Sequence, residues 1–533
     1  MELIRRYFQK ISNEQLTVVA ILLCIPAFFL NLGNLAFIGD EGIRTLVALE
    51  MKLSGHYLVP TLNGEAYYNK PPLYNWLILA MSIMFGHFGE WPTRLTTIFF
   101  LCLFALTVYF YSRKHFDRLT SVSLAFMLLT SGRILFWDSM LGLIDICFSW
   151  VIFLNFMILY HLGKAGRWKS MFVLSYFLCS IAFLLKGLPA AVFQALSLVT
   201  TLFFFRVFRK KIFSAHHFIG IGMGLLPVMT YYLTYASQVS LEKVFSILLD
   251  QSVQRTVVHH GILKTLAHIF TFPVEQSYHF IPWSLLIATF FHPRFRQWIQ
   301  NNAFVYFCFW MLAVNLPVYW LSVEVYPRYL LMFLPLFNVI GMYLLMRTKD
   351  KSQQWWRMFQ YLFSLLPAMA TIAILVMPLH AKVIALNGII PVWIIGSIMS
   401  IICFFGILFD PGKMFMWLIL ALLVTRSVFN MVILPLRGHG FAENICREDA
   451  RRLAQSHGDK TWYVYGQTEM HEVARYYTSD YTQQVIHKAY DIPDSTAYYL
   501  VDLCLYPGFC GKQVDSLLLE RGQIISLMKA DHD

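Results

Sequence analysis

Apolar runs of roughly 18 to 22 residues recur along the chain from Leu16 to Leu434, each long enough to cross a bilayer core of about 30 Å. The pattern predicts thirteen such segments, near 16–38, 95–112, 119–137, 141–160, 171–185, 187–205, 217–236, 278–291, 303–323, 329–346, 358–379, 388–409 and 414–434. The first does not read as a cleavable leader. Asn31 and Gly33 interrupt its end, no small-residue cleavage site follows, and the next apolar run belongs to the same set. Polarity rises in three places. Region 38–94 predicts a helix from Glu41 to about Ser54, with Leu46, Leu49 and Leu53 on one face, then a turn-rich piece from His56 to Glu65. An apolar stretch follows, Pro72 to Phe88, of a kind that lies in the membrane interface. The second polar region is 237–277 and the third is the tail from Arg437. In the tail the period changes. Thr461–Gly466 and Thr496–Asp502 read as strands, and 443–456 has helical spacing with Ile445, Ala450 and Leu453 on one side. The expectation is an α-helical polytopic membrane domain over 1–436, followed by a small α/β domain over 437–533.

Composition agrees. Of 533 residues, 58% are hydrophobic and 14% charged, a ratio that keeps no soluble domain dispersed. The net charge of +12 would suit nucleic acid, but its distribution excludes that partner. The basic residues fall in alternate loops: Arg5, Arg6 and Lys10; Arg113, Lys114 and Arg118; Lys164, Arg167 and Lys169; Arg206 to Lys211; Arg294 and Arg296; Arg347 to Arg357. That is the positive-inside pattern, and it sets the amino terminus in the cytoplasm with the 38–94 loop and the tail outside. Six cysteines lie in apolar runs and read as small core residues. Cys504 and Cys510 flank a turn in the tail, where an oxidising compartment would permit a disulfide, with Cys446 left over.

The chemistry concentrates in the first polar region. Asp40 and Glu41 begin where an apolar run ends, Arg44 follows, and Lys70 precedes Pro71 and Pro72. Paired carboxylates can supply a base and an orienting group. Proline after lysine restricts the backbone and presents one ammonium rigidly, a common point-charge partner for phosphate. The bland alternatives are a solvated loop and a lysine reaching headgroups. Arg133, Asp138, Asp145, Lys186 and Arg328 sit at ends of apolar runs, where charge is costly unless it is paired or faces a wet cavity. Structural pairing, such as Arg133 with an aspartate, competes there with a cationic cavity for an anionic lipid. His259, His260, His268 and His279 are the metal-ligating candidates. Their spacing matches no zinc motif, so a divalent metal stays open. No P-loop, dinucleotide fingerprint or hydrolase nucleophile elbow occurs.

Asp40-Glu41-x-x-Arg44, the short helix, 55–64 with Pro60, Asn63 and Gly64, and then Tyr67-Tyr68-Asn69-Lys70-Pro71-Pro72 together resemble the aminoarabinose–lipid A transferases. These are membrane glycosyltransferases of the GT-C superfamily, related to protein O-mannosyltransferases. Leu185-Lys186-Gly187, Ile281-Pro282-Trp283 and Pro327-Arg328-Tyr329 add support, and the resemblance runs over about 15–345. It implies a GT-C fold, a polyprenyl-phosphate-linked sugar such as 4-amino-4-deoxy-L-arabinose as donor, and lipid A or a related surface glycolipid as acceptor. It also implies work at the outer face of a bacterial inner membrane. By resemblance Asp40 is the catalytic or acceptor-orienting carboxylate, while Glu41 and Arg44 hold the loop or the acceptor. Lys70 takes the donor phosphate with Arg255 and Arg328 as helpers, and Tyr68 lines the pocket. The family often carries an acid immediately before the lysine, where this chain has Asn69.

The resemblance implies an inverting displacement. Two alternatives stay open: transfer to protein Ser/Thr or another glycan, and a lipid-linked sugar transporter. The second would show discontinuous helices in inverted repeats. A passive scaffold gives no reason for an acid pair and Lys-Pro-Pro to share a loop.

Overall fold

The computed structural model describes residues 2–240, 242, 246–247, 262–438, 440–519 and 522–530. Nine helices among the described residues are long and apolar enough to cross a membrane. The pair Arg118–Leu129 and Gly132–Met140, bent by 50°, makes a tenth if it is one span. Asn13–Phe29, Leu73–Phe85 and Pro189–Phe204 are apolar but shorter. Of the thirteen segments expected from hydropathy, the described residues therefore hold nine or ten by length and composition.

Two segments account for much of the difference. The first apolar run forms a helix only over Asn13–Phe29, because Asn31, Gly33 and Asn34 sit in an irregular turn after it. The segment expected at 278–291 is no spanning helix. It is the end of Ile262–His279, then a tight 3-10 stretch over Trp283–Phe291. Pro282 at the junction offers no backbone donor to continue the α-helix. Hydropathy registers the apolar content of such a stretch and not its pitch.

Close packing between membrane helices uses small residues. On Ala215–Ala236, a Cβ at Gly220 would lie 2.7 Å from the Phe172 Cβ, and one at Gly224 would lie 2.6 Å from the Tyr176 Cβ. The four-residue spacing puts both glycines on one face against Trp168–Lys186. The Tyr176 hydroxyl and His217 Nε2, 2.6 Å apart, join the same pair of helices.

The helix expected to open the first polar region is present as Asp40–Ser54. A two-residue hairpin follows, strands β1 (Thr61–Leu62) and β2 (Glu65–Ala66). Glu50, fully buried, pins it by accepting from the Thr61 hydroxyl at 2.7 Å and the Asn63 N–H at 2.6 Å. Burial pushes the Glu50 carboxyl up from its ordinary range.

After the last long helix, which ends at Gly438, the chain forms Ala442–His457 and then a small mixed sheet. Its strands are β3 (Trp462–Tyr465), β4 (His487–Ala489), β5 (Tyr498–Val501), β6 (Gly511–Leu518) and β7 (Ile524–Ala530), in the order β4-β3-β5-β7-β6. β4, β3 and β5 run parallel, and helix Glu472–Thr482 makes the β3–β4 crossover. β7 and β6 add antiparallel, with Leu500 opposite Leu527. The hydrophobic pattern gave β3 and β5; β4, β6 and β7 escaped it. β6 alternates poorly because it is an exposed edge, and β4 is only three residues long. Cys504 and Cys510 are exposed free thiols and Cys446 is buried.

Candidate functional site

Between Leu30 and Gly39 the backbone forms turns and no helix or strand. Gly39 closes this stretch at φ +53°, a conformation that suits glycine, and Asp40 is the first residue of the following helix. An acid in the first turn is favoured by the helix dipole.

Asp40 and Glu41 then part company. Glu41 is fully buried against a buried Arg94 near the start of Glu90–Ser112. Arg94 Nε donates to Glu41 Oε1 at 2.8 Å and Nη2 to Oε2 at 3.0 Å. The remaining N–H groups reach the carbonyls of Leu32 (2.7 Å), Leu35 (2.8 Å) and Ala36 (3.0 Å). Glu41 also accepts from Gly142 N–H at 2.8 Å and Ile38 N–H at 3.2 Å. A carboxylate with both oxygens doubly engaged has no face left for a ligand. Glu41, a catalytic candidate by sequence, is thus placed as a brace for the turn. Arg94 carries no motif in the sequence; its one signal is an arginine next to an apolar run.

Asp40 keeps about half of its side-chain surface exposed and takes its cation from far away in sequence. Arg328 Nη2 donates to Asp40 Oδ2 at 2.9 Å. Arg328 Nε lies 3.3 Å from Asp145 Oδ2, and Lys186 Nζ donates to Asp145 Oδ1 at 2.5 Å. The Lys186 ammonium also sits 3.8 Å above the Tyr329 ring. Asp40, Arg328, Asp145 and Lys186 form a ladder of alternating charge. Side-chain exposure falls along it from 52% at Asp40 to 14% at Arg328 and 6–7% at the far end. The charges noted at ends of apolar runs therefore assemble, and Asp145 and Lys186 join a cluster that the first-loop motif alone did not contain. Arg133 makes the pair expected of it, with Asp138 at 3.1 Å.

Arg44, one turn after Asp40, is buried, and its Nη1 has no hydrogen-bond partner among the described residues. The guanidinium lies 5.9 Å from the centre of the Tyr67 ring. Tyr68 is half-buried and packs against a cluster that includes Tyr231, Tyr232 and Tyr235 of the Ala215–Ala236 helix. The Tyr231 hydroxyl ties the loop down by donating to the Leu58 carbonyl at 3.2 Å. Lys70 is half-buried just ahead of the Leu73–Phe85 helix. Arg255, His259 and His260 lie outside the described residues. Among the described residues no group of three or more His, Cys, Asp or Glu is arranged to hold a metal ion.

Beyond Arg328, Leu330 and Phe333 lead into an apolar groove lined also by Phe272, Phe280, Trp283 and Leu312. The charge ladder and the groove share the Pro327–Phe333 segment.

Comparison with known proteins agrees with this architecture. Residues 69–233 match the dolichyl-phosphate-mannose-protein mannosyltransferase family. The chain is 23% identical to an uncharacterised protein of Aquifex aeolicus over 58% of this chain and 61% of that one. It is 30% identical to the undecaprenyl phosphate-alpha-4-amino-4-deoxy-L-arabinose arabinosyl transferase of Shewanella sediminis, over 25% of each chain. The aligned part is thus less than two thirds of the length of either relative. The crystal structure of ArnT from Cupriavidus metallidurans bound to undecaprenyl phosphate superposes with a TM-score of 0.69 at 16% identity, covering 97% of this chain and 98% of that one. Its apo form gives 0.63 at 16% identity, covering 97% and 99%. With nine or ten helices of membrane-crossing length among the described residues, the chain is therefore a multi-pass membrane protein that shares the fold of the ArnT structure.

Proposed function

We propose that this chain transfers a sugar from a polyprenyl-phosphate carrier to an acceptor at the membrane face where the small sheet domain sits. The observation that carries the reading is the ladder from the half-exposed Asp40 through Arg328 to the buried Asp145 and Lys186, set beside an apolar groove. One end of such a site suits an acceptor, the cations suit a phosphate, and the groove suits an isoprenoid chain. The buried Arg44 Nη1 is a further donor for an anion, because an unsatisfied buried cation is costly.

In this reading the acceptor oxygen bonds to the anomeric carbon as the bond from that carbon to the carrier phosphate oxygen breaks. The electron pair leaves with polyprenyl phosphate, and the sugar configuration inverts. Arg328 and Lys70 stabilise the charge that grows on the departing phosphate, with Arg255 as a further candidate. Asp40 takes the proton of a hydroxyl acceptor, or orients a phosphate acceptor that is already anionic. Glu41 acts by fixing the turn, and Tyr68 by shaping the loop.

The finer reading is 4-amino-4-deoxy-L-arabinose transferred to lipid A or a related glycolipid at the periplasmic face of a bacterial inner membrane. The amino terminus is then cytoplasmic and the tail periplasmic. Similarity to an arabinosyl transferase supports it. The match of 69–233 to protein mannosyltransferases favours a second acceptor class, protein Ser/Thr.

The test is transfer by purified protein in bilayers with a polyprenyl-phosphate-linked sugar. Asp40→Asn and Lys70→Ala should each lower turnover on the order of a hundredfold; near-normal turnover in both overturns the reading. Mass spectrometry of lipid A and of the glycoproteome, with and without the chain, separates the acceptors.

A further inference from the structure

The turn that carries Asp40 has no secondary structure of its own, so its position depends on side chains that take up its backbone groups. From the membrane domain, Arg94 takes the carbonyls of Leu32, Leu35 and Ala36, and Glu41 takes the Ile38 N–H. The rest comes from beyond the last membrane helix. Asn444 Oδ1 accepts the Ala36 N–H at 2.6 Å, and its Nδ2 donates to the Asn34 carbonyl at 3.3 Å. The Tyr477 hydroxyl accepts the Phe37 N–H at 3.0 Å. That hydroxyl is itself aimed, donating to Glu90 at 2.5 Å, and Arg447 holds the same carboxylate oxygen at 2.9 Å.

Packing repeats the pattern. The Phe37 ring stacks on Tyr477 at 6.0 Å and meets Tyr476 edge-on at 4.8 Å. On the next turn a Cβ at Gly42 would lie 3.2 Å from the Glu472 carbonyl and the Val473 nitrogen. The Glu472–Thr482 helix therefore bears on the Asp40–Ser54 helix two residues from Asp40. Both Phe37 and Tyr477 are buried. A buried N–H left without an acceptor is costly, so removal of the Tyr477 hydroxyl favours movement of the turn.

We propose that Tyr477 and Asn444 are positioning residues for Asp40: the C-terminal sheet domain is a part of the frame that sets the candidate acid, and not an independent appendage. The catalytic consequence rests on the transferase reading above; the mechanical claim does not. Misplacement of a reacting group by about 1 Å can cost on the order of a hundredfold in rate.

The experiment uses the full chain in lipid nanodiscs. Tyr477→Phe keeps the ring stack and removes the hydroxyl. Amide hydrogen exchange across 35–45 should accelerate about tenfold, and kcat should fall about tenfold or more with the donor KM unchanged within about twofold. Asn444→Ala should act in the same direction. Gly42→Ala, one methyl against the Glu472 backbone, provides a second route if either variant folds poorly. Arg452→Gln is the control. It breaks ion pairs to Asp449 and Asp515 inside the sheet domain and touches nothing in the turn, so both readouts should stay at wild type.

Wild-type exchange and wild-type kcat in Tyr477→Phe would overturn the proposal. Equal loss in Arg452→Gln would also overturn it, because domain stability and not position would then be the cause. An inactive wild type would sink the transferase reading alone. Exchange across 35–45 would still decide the mechanical claim, supporting it if faster in Tyr477→Phe and overturning it if not.

Discussion

Asp40 and Glu41 are adjacent in sequence and opposite in circumstance. One is half-exposed and paired with Arg328, while the other is buried with both oxygens saturated. Their substitutions should separate cleanly. Arg94→Met leaves the Glu41 charge buried without its partner, and breaking a buried pair in this way costs about 3–5 kcal/mol. Thermal unfolding in detergent should show a large loss of stability in Arg94→Met, whereas Asp40→Asn, half-exposed in its pair with Arg328, should cost about 1 kcal/mol or less. Equal melting of the two variants would contradict the brace role of Glu41. The sequence flagged the acid pair through its place beside an apolar run. It could not divide the roles, because that depends on Arg94 and Gly142 arriving from other helices. The pairing of Asp40 with Arg328 was equally hidden, since 288 positions separate them. Each charge taken alone was legible as an expensive residue at a membrane boundary.

Among the elements, those that rest on local pattern were legible and those that rest on contact were not. Asp40–Ser54 and Ala442–His457 follow their periodicity almost to the residue. Segment 278–291 misled because a 3-10 stretch and a spanning helix share the same apolar content. The glycines of Ala215–Ala236 carry no hydropathy signal, yet they let two helices meet almost backbone to backbone. Gly224→Leu should force Tyr176 and its helix away. Small-to-large changes in close packing cost about 1–3 kcal/mol or more. A lowered unfolding midpoint in Gly224→Leu, with Gly222→Leu near wild type, checks this, since nothing lies within 4 Å of a Cβ at Gly222. Equal effects at the two positions would argue against this helix packing.

At the scale of the whole molecule, the sheet domain and the membrane domain meet through Glu472–Thr482, and that helix carries a titrating group. Burial, with the nearby Glu90 charge adding to it, pushes the Asp480 carboxyl up to about 6. A raised acid binds its proton more tightly in the folded state, so between about pH 4 and pH 6 the unfolded chain holds fewer protons. Stability from this group is therefore greatest at low pH and lost as pH rises to about 6, with a flat response above. Asp480→Asn should flatten the melting profile over that interval and raise the midpoint at pH 7. An unchanged slope would remove Asp480 as its cause. The general architecture was readable from composition and the apolar runs, but the way the tail seats on the first loop was not, because Phe37–Tyr477 and Asn63–Ile486 are contacts between distant parts of the chain.

The measurement that tests the central claim most directly is single-turnover release of polyprenyl phosphate by the reconstituted protein, loaded with a polyprenyl-phosphate-linked sugar and acceptor. Wild type should release the carrier phosphate in step with sugar transfer. Asp40→Asn should still bind donor but release it at least about a hundredfold more slowly, and Arg328→Gln should slow release as well. Release at the wild-type rate from Asp40→Asn would contradict the account.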